Sequence, residues 1–423
     1  MKSIRLGGTF LALALGTVIS HAADWPEFRG PTGQGHANTT KLPSEWSATR
    51  NVAWKQPVPG RGWSSPSLSG GKIFLTSAVG EADGGPRGLR ALCFDAKTGR
   101  QLWNTPLFEQ DGRAPRIHNK NSHASPTPLV ADGRVYVHFG HQGTACLDLK
   151  GKVIWKNTSL NYPPVHGNGG SPILVGDKLV FSCDGGSDPF VVALNKKTGK
   201  VIWNTPRFTT AKKTFSFSTP LLITVAGKQQ IISPGSGAVC ALDPKDGKEV
   251  WRARYGEGYS VIPRPVLGHG MIFIGTGYDA PIVMAIRVDG TGDVTDTHVA
   301  WTMKKGAPNT PSLLLVGEEL YMVSDGGIAS CVEAKTGKVH WQERAGGNYS
   351  ASPLYADGKV YFQNEEGIGV VVKAGKEFQK LASNDLGERT LASYAADDDA
   401  FFIRTEQHLY KIRATGTKTA AAR

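Results

Sequence analysis

The chain has 423 residues, 40% of them apolar and 20% charged, with Lys and Arg outnumbering Asp and Glu by 48 to 36. That composition supplies a sizeable core and excludes a disordered or highly charged chain. No run of Lys or Arg exceeds two residues, so the net charge of +12 describes a solvated basic surface, and no nucleic-acid partner is expected.

At the N-terminus Lys2 and Arg5 precede an apolar run from Leu6 to Ile19 and the small residues of "SHAAD". This is the pattern of a signal peptide over 1–22, cleaved after Ala22 or Ala23. The run is shorter than the roughly 20 residues that cross a bilayer, and no later segment meets that requirement. No Cys follows it, so no lipid anchor is expected, and the mature chain is expected in the periplasm or secreted, as a monomer. Residues 24–50 read as an extended leader, 51–413 as one repeated domain, and 414–423 as a disordered polar tail.

Seven units begin with a Pro-marked apolar stretch, such as "SSPSLSGGKIFLTS", "ASPTPLVADGRVYVHFG" and "ASPLYADGKVYFQNEEG". Each continues through an apolar stretch ending in an Asp-like residue, a turn, and a stretch carrying a large aromatic. With Trp54 from a partial unit at 51–58, these aromatics are Trp103, Trp155, Trp203, Trp251, Trp301, Trp341 and Phe378, recurring every 37 to 52 residues. That period, Asp-Gly hairpin signals and the lack of helical periodicity predict four short strands per unit. Pro at the start of the first strand suits an exposed edge, where a missing N–H costs nothing. The lone fourth strand "NVAWKQPV" at 51–58 and the three strands in 391–413 complete each other as an eighth unit. The prediction is an all-β fold: an eight-bladed β-propeller of four-stranded antiparallel blades, closed by pairing N- and C-terminal strands in one blade.

"CFDAKTGRQLW" (93–103), "ALNKKTGKVIW" (193–203) and "CVEAKTGKVHW" (331–341) repeat a Lys-Thr-Gly triplet that also occurs, with Ser-x-x-K, in serine β-lactamases. A nucleophile motif occurs once and its Ser-x-x-K opens a helix; "SGGK" at 69–72 here is a hairpin turn. The triplet therefore reads as the turn between third and fourth strands, with the aromatics docking adjacent blades. Cys93, Cys146 and Cys331 share one repeat position, so free buried thiols are expected rather than disulfides.

Repeats of the form A-x-D-x-x-T-G-x-x-x-W resemble the tryptophan-docking motif of the pyrroloquinoline quinone (PQQ) repeat family, the BamB-like and quinoprotein alcohol dehydrogenase-like superfamily. "ALNKKTGKVIW" and "ALDPKDGKEVW" are close matches, "CLDLKGKVIW" is one residue short, and the resemblance covers nearly all of 51–413. It implies one of two functions. The first is a non-catalytic binding or scaffolding propeller with a protein or polymer partner and no cofactor, similar to the BamB branch. The alternative is a small quinoprotein oxidoreductase using PQQ with calcium. Against the latter, this chain has no Cys-Cys pair and no large insertions, and no catalytic residue is assigned.

Loop-length variation concentrates in the connections between second and third strands and between blades, which share one face; the other connections are expected to be tight. Long loops such as 105–123 and 157–170 on a rigid scaffold are expected to carry recognition. Residues entering the innermost strands should ring the channel mouth: Trp63, His123, His166, Asn168, Phe217, Tyr259, Arg264, Asn309, Tyr349 and Arg389. Their aromatic, His, Asn and Arg side chains suit a polar ligand with a flat or sugar-like face, or a peptide segment. His118/His123 and His138/His141 lack a third ligand, so no metal site is expected.

Overall fold

The computed structural model describes residues 24–80, 85–112, 117–279 and 281–414. The expected signal peptide at 1–22 and the expected tail, apart from Ala414, lie outside the described residues. Eight antiparallel blades follow one another around an axis, seven four-stranded and one carrying a fifth strand. Blade one consists of Ser67–Ser69, Lys72–Gly80, Arg87–Asp95 and Gln101–Gln110. Blades two to seven begin at Leu129, Ile173, Leu221, Val266, Leu314 and Leu354, and blade eight at Ala395. Blade eight is completed from the other end of the chain, where Val52–Pro57 pairs antiparallel with His408–Arg413. That pairing closes the ring as predicted and removes the free ends of an open array. Helix among the described residues is confined to single turns at Gly140–Gln142 and Thr295–His298.

The first hairpins use Asp-Gly as expected: Asp132 (φ 51°) and Gly133 (φ 71°) both take the left-handed conformation of a type I′ turn. The Lys-Thr-Gly turn is explained by two constraints. Asp95 Oδ1 accepts bonds from the backbone N–H of Lys97 and Thr98 and from the Thr98 hydroxyl, at 3.1, 2.7 and 2.8 Å. Gly99 then needs φ 76°, and a Cβ there would lie 2.8 Å from the indole of Trp54. The tryptophan of one blade thus lies on the turn glycine of the next. Trp54 Nε1 donates to Ala96 O at 3.3 Å, and Trp103, Trp155, Trp203, Trp301 and Trp341 donate likewise to carbonyls of the following blade.

Two expected docking residues depart from this pattern. Trp251 is fully buried and donates to Gln230 Oε1 within its own blade. The cause is an untight connection in blade five, where Gly292–Asp293 adds a parallel fifth strand to the edge of blade four. In blade seven the position opposite the third strand is Ala382, paired with Val371, whereas Phe378 precedes the strand and packs on Trp341 at 5.1 Å. The gap is filled by Trp46 of the leader, buried against Tyr361 and Phe401 at 6.4 and 5.6 Å.

All five cysteines are buried and free. Cys93, Cys146 and Cys331 sit opposite Trp103, Trp155 and Trp341 in the ladders. Burial pushes those three thiols up to about 12, 11 and 12, which makes them inert packing residues.

The leader seals one end of the channel. Asp24 accepts bonds from Ser69 Oγ and Gly70 N at a first-hairpin turn, which places it at the tight-turn end. From there the segment crosses the axis, bonding in turn to Leu68, Val130, Leu267, Leu315 and Tyr355 of five innermost strands. Those edge strands would otherwise leave backbone groups unpaired.

Candidate functional site

The residues just ahead of the innermost strands form a ring around the axis. Each backbone N–H donates to the hydroxyl of the next blade: Ser65 to Thr127, Thr127 to Ser171, Ser171 to Thr219, at 2.9 to 3.0 Å. The chain of bonds resumes from Arg264 to Ser312, Ser352, Ser393 and back to Ser65, at 2.9 to 3.1 Å. Seven hydroxyls thus occupy equivalent positions in eight blades, and Arg264 takes the eighth. Most of these residues precede a proline, which holds them extended and removes the next donor.

Above this crown lies a cavity of about 270 Å³, lined by all seven hydroxyl residues. Its floor is Phe28 of the leader, so the channel is a cup closed at the tight-turn end. One wall is a run of edge-to-face rings: His118 on His166 at 5.6 Å, His166 on Phe215 at 5.2 Å, and Phe215 on Tyr259 at 5.3 Å. Two wall residues, His166 (φ 60°) and Ser260 (φ 50°), hold the left-handed conformation that non-glycine residues rarely adopt. Such strain is commonly concentrated at functional sites. Burial and the neighbouring His166 lower the pKa of His118, keeping its ring neutral.

The mouth is spanned by a strap. Residues 117–122 connect blades one and two, yet Lys120 Nζ lies 2.8 Å from Glu365 Oε1 and 3.9 Å from Asp325 Oδ1, in blades seven and six. Arg389 Nη2 donates to Asn119 O at 3.3 Å. Burial opposes the charge on Lys120, but Glu365 and Asp325 outweigh it and raise its pKa. Both acids are otherwise engaged: Asp325 accepts from the N–H groups of Asn309 and Thr310 and from the Thr310 hydroxyl, and Glu365 from Ser350 Oγ.

Of the residues expected at the mouth, Trp63, His166, Phe217 and Tyr259 line the cup. Arg389 stacks over Trp63 at 5.5 Å. Asn168 lines a separate side chamber of about 10 Å³ with His138, Tyr162 and Asp184. The remaining four lie elsewhere. His123 bonds Arg87 at 2.7 Å, and burial plus that cation lower its pKa to about 4. Tyr349 is fully buried between blades six and seven, where burial raises its pKa. Asn309 serves Asp325 through its backbone. Arg264 points beneath the floor, donating to Pro220 O and to Glu27 Oε1, each at 3.1 Å.

Phe28, Lys120, Phe215, Tyr278 and the crown hydroxyls were not anticipated. For the crown a signal existed: Ser or Thr stands directly before the strand-opening proline at 65, 127, 171, 219 and 352. For Lys120 none did, since its partners are more than 200 residues away.

Beside the cup, the buried pair Arg207–Asp184 meets at 2.6 Å, with side chains 3% and 0% exposed. Burial pushes Asp184 up to about 6 against the pull of Arg207, and its Oδ2 has no partner among the described residues. His138 bonds Thr144 Oγ1 at 2.8 Å, and burial lowers its pKa to about 3. Among the described residues no group of three or more His, Cys, Asp or Glu could hold a metal ion. No helix among them is long and apolar enough to cross a membrane.

The profile of the family described as outer membrane protein assembly factor BamB matches residues 44–219 and 293–418. BamB of Yersinia pestis is 26% identical over 205 residues, covering 43% of this chain and 48% of that protein. Quinoprotein ethanol dehydrogenase of Pseudomonas putida is 35% identical over 147 residues, covering 31% of this chain and 23% of that protein. Each match spans less than half the length of the curated relative. Among solved structures, BamB from Moraxella catarrhalis superposes with a TM-score of 0.59 at 11% identity, covering 86% of this chain and 98% of that one. The computationally designed Ika8 protein superposes with a TM-score of 0.56, also at 11% identity, covering 84% and 98%. Likenesses at that identity concern the fold.

Proposed function

Because the chain belongs to the BamB family of PQQ-like propellers, we propose that it is an exported, non-catalytic propeller that binds a protein or polymer partner through its loop-rich face. The observation that carries this reading is the inequality of its two ends. The leader covers one end, while the other collects the long connections, the strap and the strained wall residues. On that face Phe208, at the exit of blade three, is 72% exposed with φ 48°. A large aromatic held out in water by a strained backbone suits an interface anchor.

The test is photo-crosslinking in the periplasm of the native host from positions 120, 161 and 208, with positions 70 and 133 on the tight-turn face as controls. The reading expects one recurrent partner from the first group and none from the second. Equal, unspecific capture from both faces would overturn it.

The dehydrogenase relative keeps an enzymatic alternative in view: a small PQQ-dependent oxidoreductase. The cup's chemistry does not fit the calcium ion that this cofactor uses. The acids at its rim, Asp325 and Glu365, are committed to Lys120, Asn309, Thr310 and Ser350, so an ion would have to displace the strap. Stoichiometric uptake of PQQ with calcium and dye reduction by alcohols would nevertheless replace the binding reading with this one.

A further inference from the structure

Each of the seven crown hydroxyls accepts one backbone N–H, and among the described residues none donates to a protein acceptor. Such a hydroxyl retains a proton and a lone pair. Seven O–H groups therefore converge on one axis at the base of the cup, with their protons unassigned. The layer beneath them is electropositive. Arg264 lies there, 2% exposed, with Arg29, also 2% exposed, close enough to depress the Arg29 pKa together with burial. Among the described residues their one acidic partner is Glu27, bonded to Arg264, and Arg29 keeps Nε and Nη1 without an acceptor. At the rim Asp325 and Glu365 face Lys120 and Arg389, so the charges there balance and add no positive field to that of the floor. Between floor and rim stands the ring wall of His166, Phe215 and Tyr259.

We infer that the cup is a metal-independent site for a small monoanion: one carboxylate or comparable oxyanion head seated on the hydroxyl crown, carried by a flat aromatic body lying on the ring wall. Hydrogen bonds to an ionised acceptor are the stronger kind, and a preformed donor ring over buried guanidinium groups supplies them without reorganisation. A second anionic group would leave the crown donors and meet a rim where Asp325 and Glu365 already balance Lys120 and Arg389, so the site favours a monoanion over a dianion of the same shape. This site is separate from partner docking on the surrounding loops and does not depend on it.

The test is ligand-observed NMR and calorimetry on the mature full-length chain with four probes of one size: benzoate, benzamide, isophthalate and benzylamine, each with and without calcium. Benzoate is expected to saturate with a dissociation constant of about 1 mM, at least about tenfold tighter than benzamide, isophthalate or benzylamine, and unaffected by calcium. The double variant Thr127→Val, Ser171→Ala should weaken benzoate about tenfold while Ser171→Thr, which keeps the hydroxyl, should not. Equal binding of benzoate and benzamide, no saturation by benzoate, or binding that requires calcium would each overturn the inference. The benzoate–benzamide comparison uses the unaltered protein, so misfolding of a variant leaves it decisive. Failure of crosslinking would leave it untouched.

Discussion

Two concentric rings hold this molecule together, and they fail differently where the repeat is broken. The outer ring consists of tryptophans lying on the turn glycines of neighbouring blades. It is broken at Trp251 and Ala382, and both breaks are healed by burial: a fifth strand covers one and Trp46 fills the other. The inner ring consists of backbone-to-hydroxyl bonds, and it is broken once, by Arg264. That break is not healed by packing but used, because the guanidinium reaches down to Glu27 and Phe28 and ties the leader across the channel. A repeated part that is replaced by an apolar patch signals stability; one replaced by a charge signals a job specific to that blade.

The comparison breaks most sharply at Arg264. Arg264→Met removes the partner of a buried carboxylate, and Glu27 already has its pKa raised by burial despite Arg264. The expected loss is about 4 kcal/mol, in the range for stranding one member of a buried pair. It should appear in urea unfolding and as new protease cleavage within 24–36, and adding Glu27→Gln should recover part of it. An unchanged leader would separate the inner ring from the plug.

In the outer ring, Trp203→Ala removes a buried indole and its bond to Pro244 O, for an expected loss of about 3 kcal/mol without leader exposure. Coincidence of its cleavage pattern with that of Arg264→Met would erase the distinction between the rings.

A smaller effect concerns pH. His138 is held neutral in the fold, its pKa lowered by burial to about 3 from 6.5. The unfolded chain therefore binds the extra proton first, and stability should fall as pH drops below 6.5, by about 2 kcal/mol on reaching about pH 5. His123, lowered to about 4, adds to the same slope. His138→Gln should remove about half of the fall in the urea midpoint between pH 6.5 and 5, leaving the part due to His123; an unchanged slope would assign the effect to other groups.

The smallest expected effect is in the crown itself. Thr127→Val strands the Ser65 N–H beside a cavity that water can enter, so thermal stability should fall by only about 1 kcal/mol. A larger loss would make the crown a structural clamp first and a ligand floor second.

Much of the architecture was legible because a propeller writes the same local physics many times. Asp-Gly needs left-handed backbone at 132–133, Thr-Gly turns need a carboxylate or amide oxygen three or four residues back, and a lone fourth strand at one end with three strands at the other implies closure. The site was legible only where it inherits from the repeat: four of ten expected mouth residues line the cup because they lead into innermost strands. His123, Asn309 and Tyr349 share that position and were drawn into local partners or burial instead. Phe378 shows the same limit, since its spacing resembled the motif while the strand began two residues later.

What the sequence determined by itself was the number of blades, their closure and six of the eight aromatics that dock them, because these depend on contacts repeated at short and regular separation. What only the tertiary structure decided was which end of the channel is shut and what the open end holds. The leader against blades five to seven, Lys120 against Glu365 and Arg264 against Glu27 join positions more than 200 residues apart, each pair occurring once. A periodic pattern carries no record of such contacts; they exist only after the ring has closed.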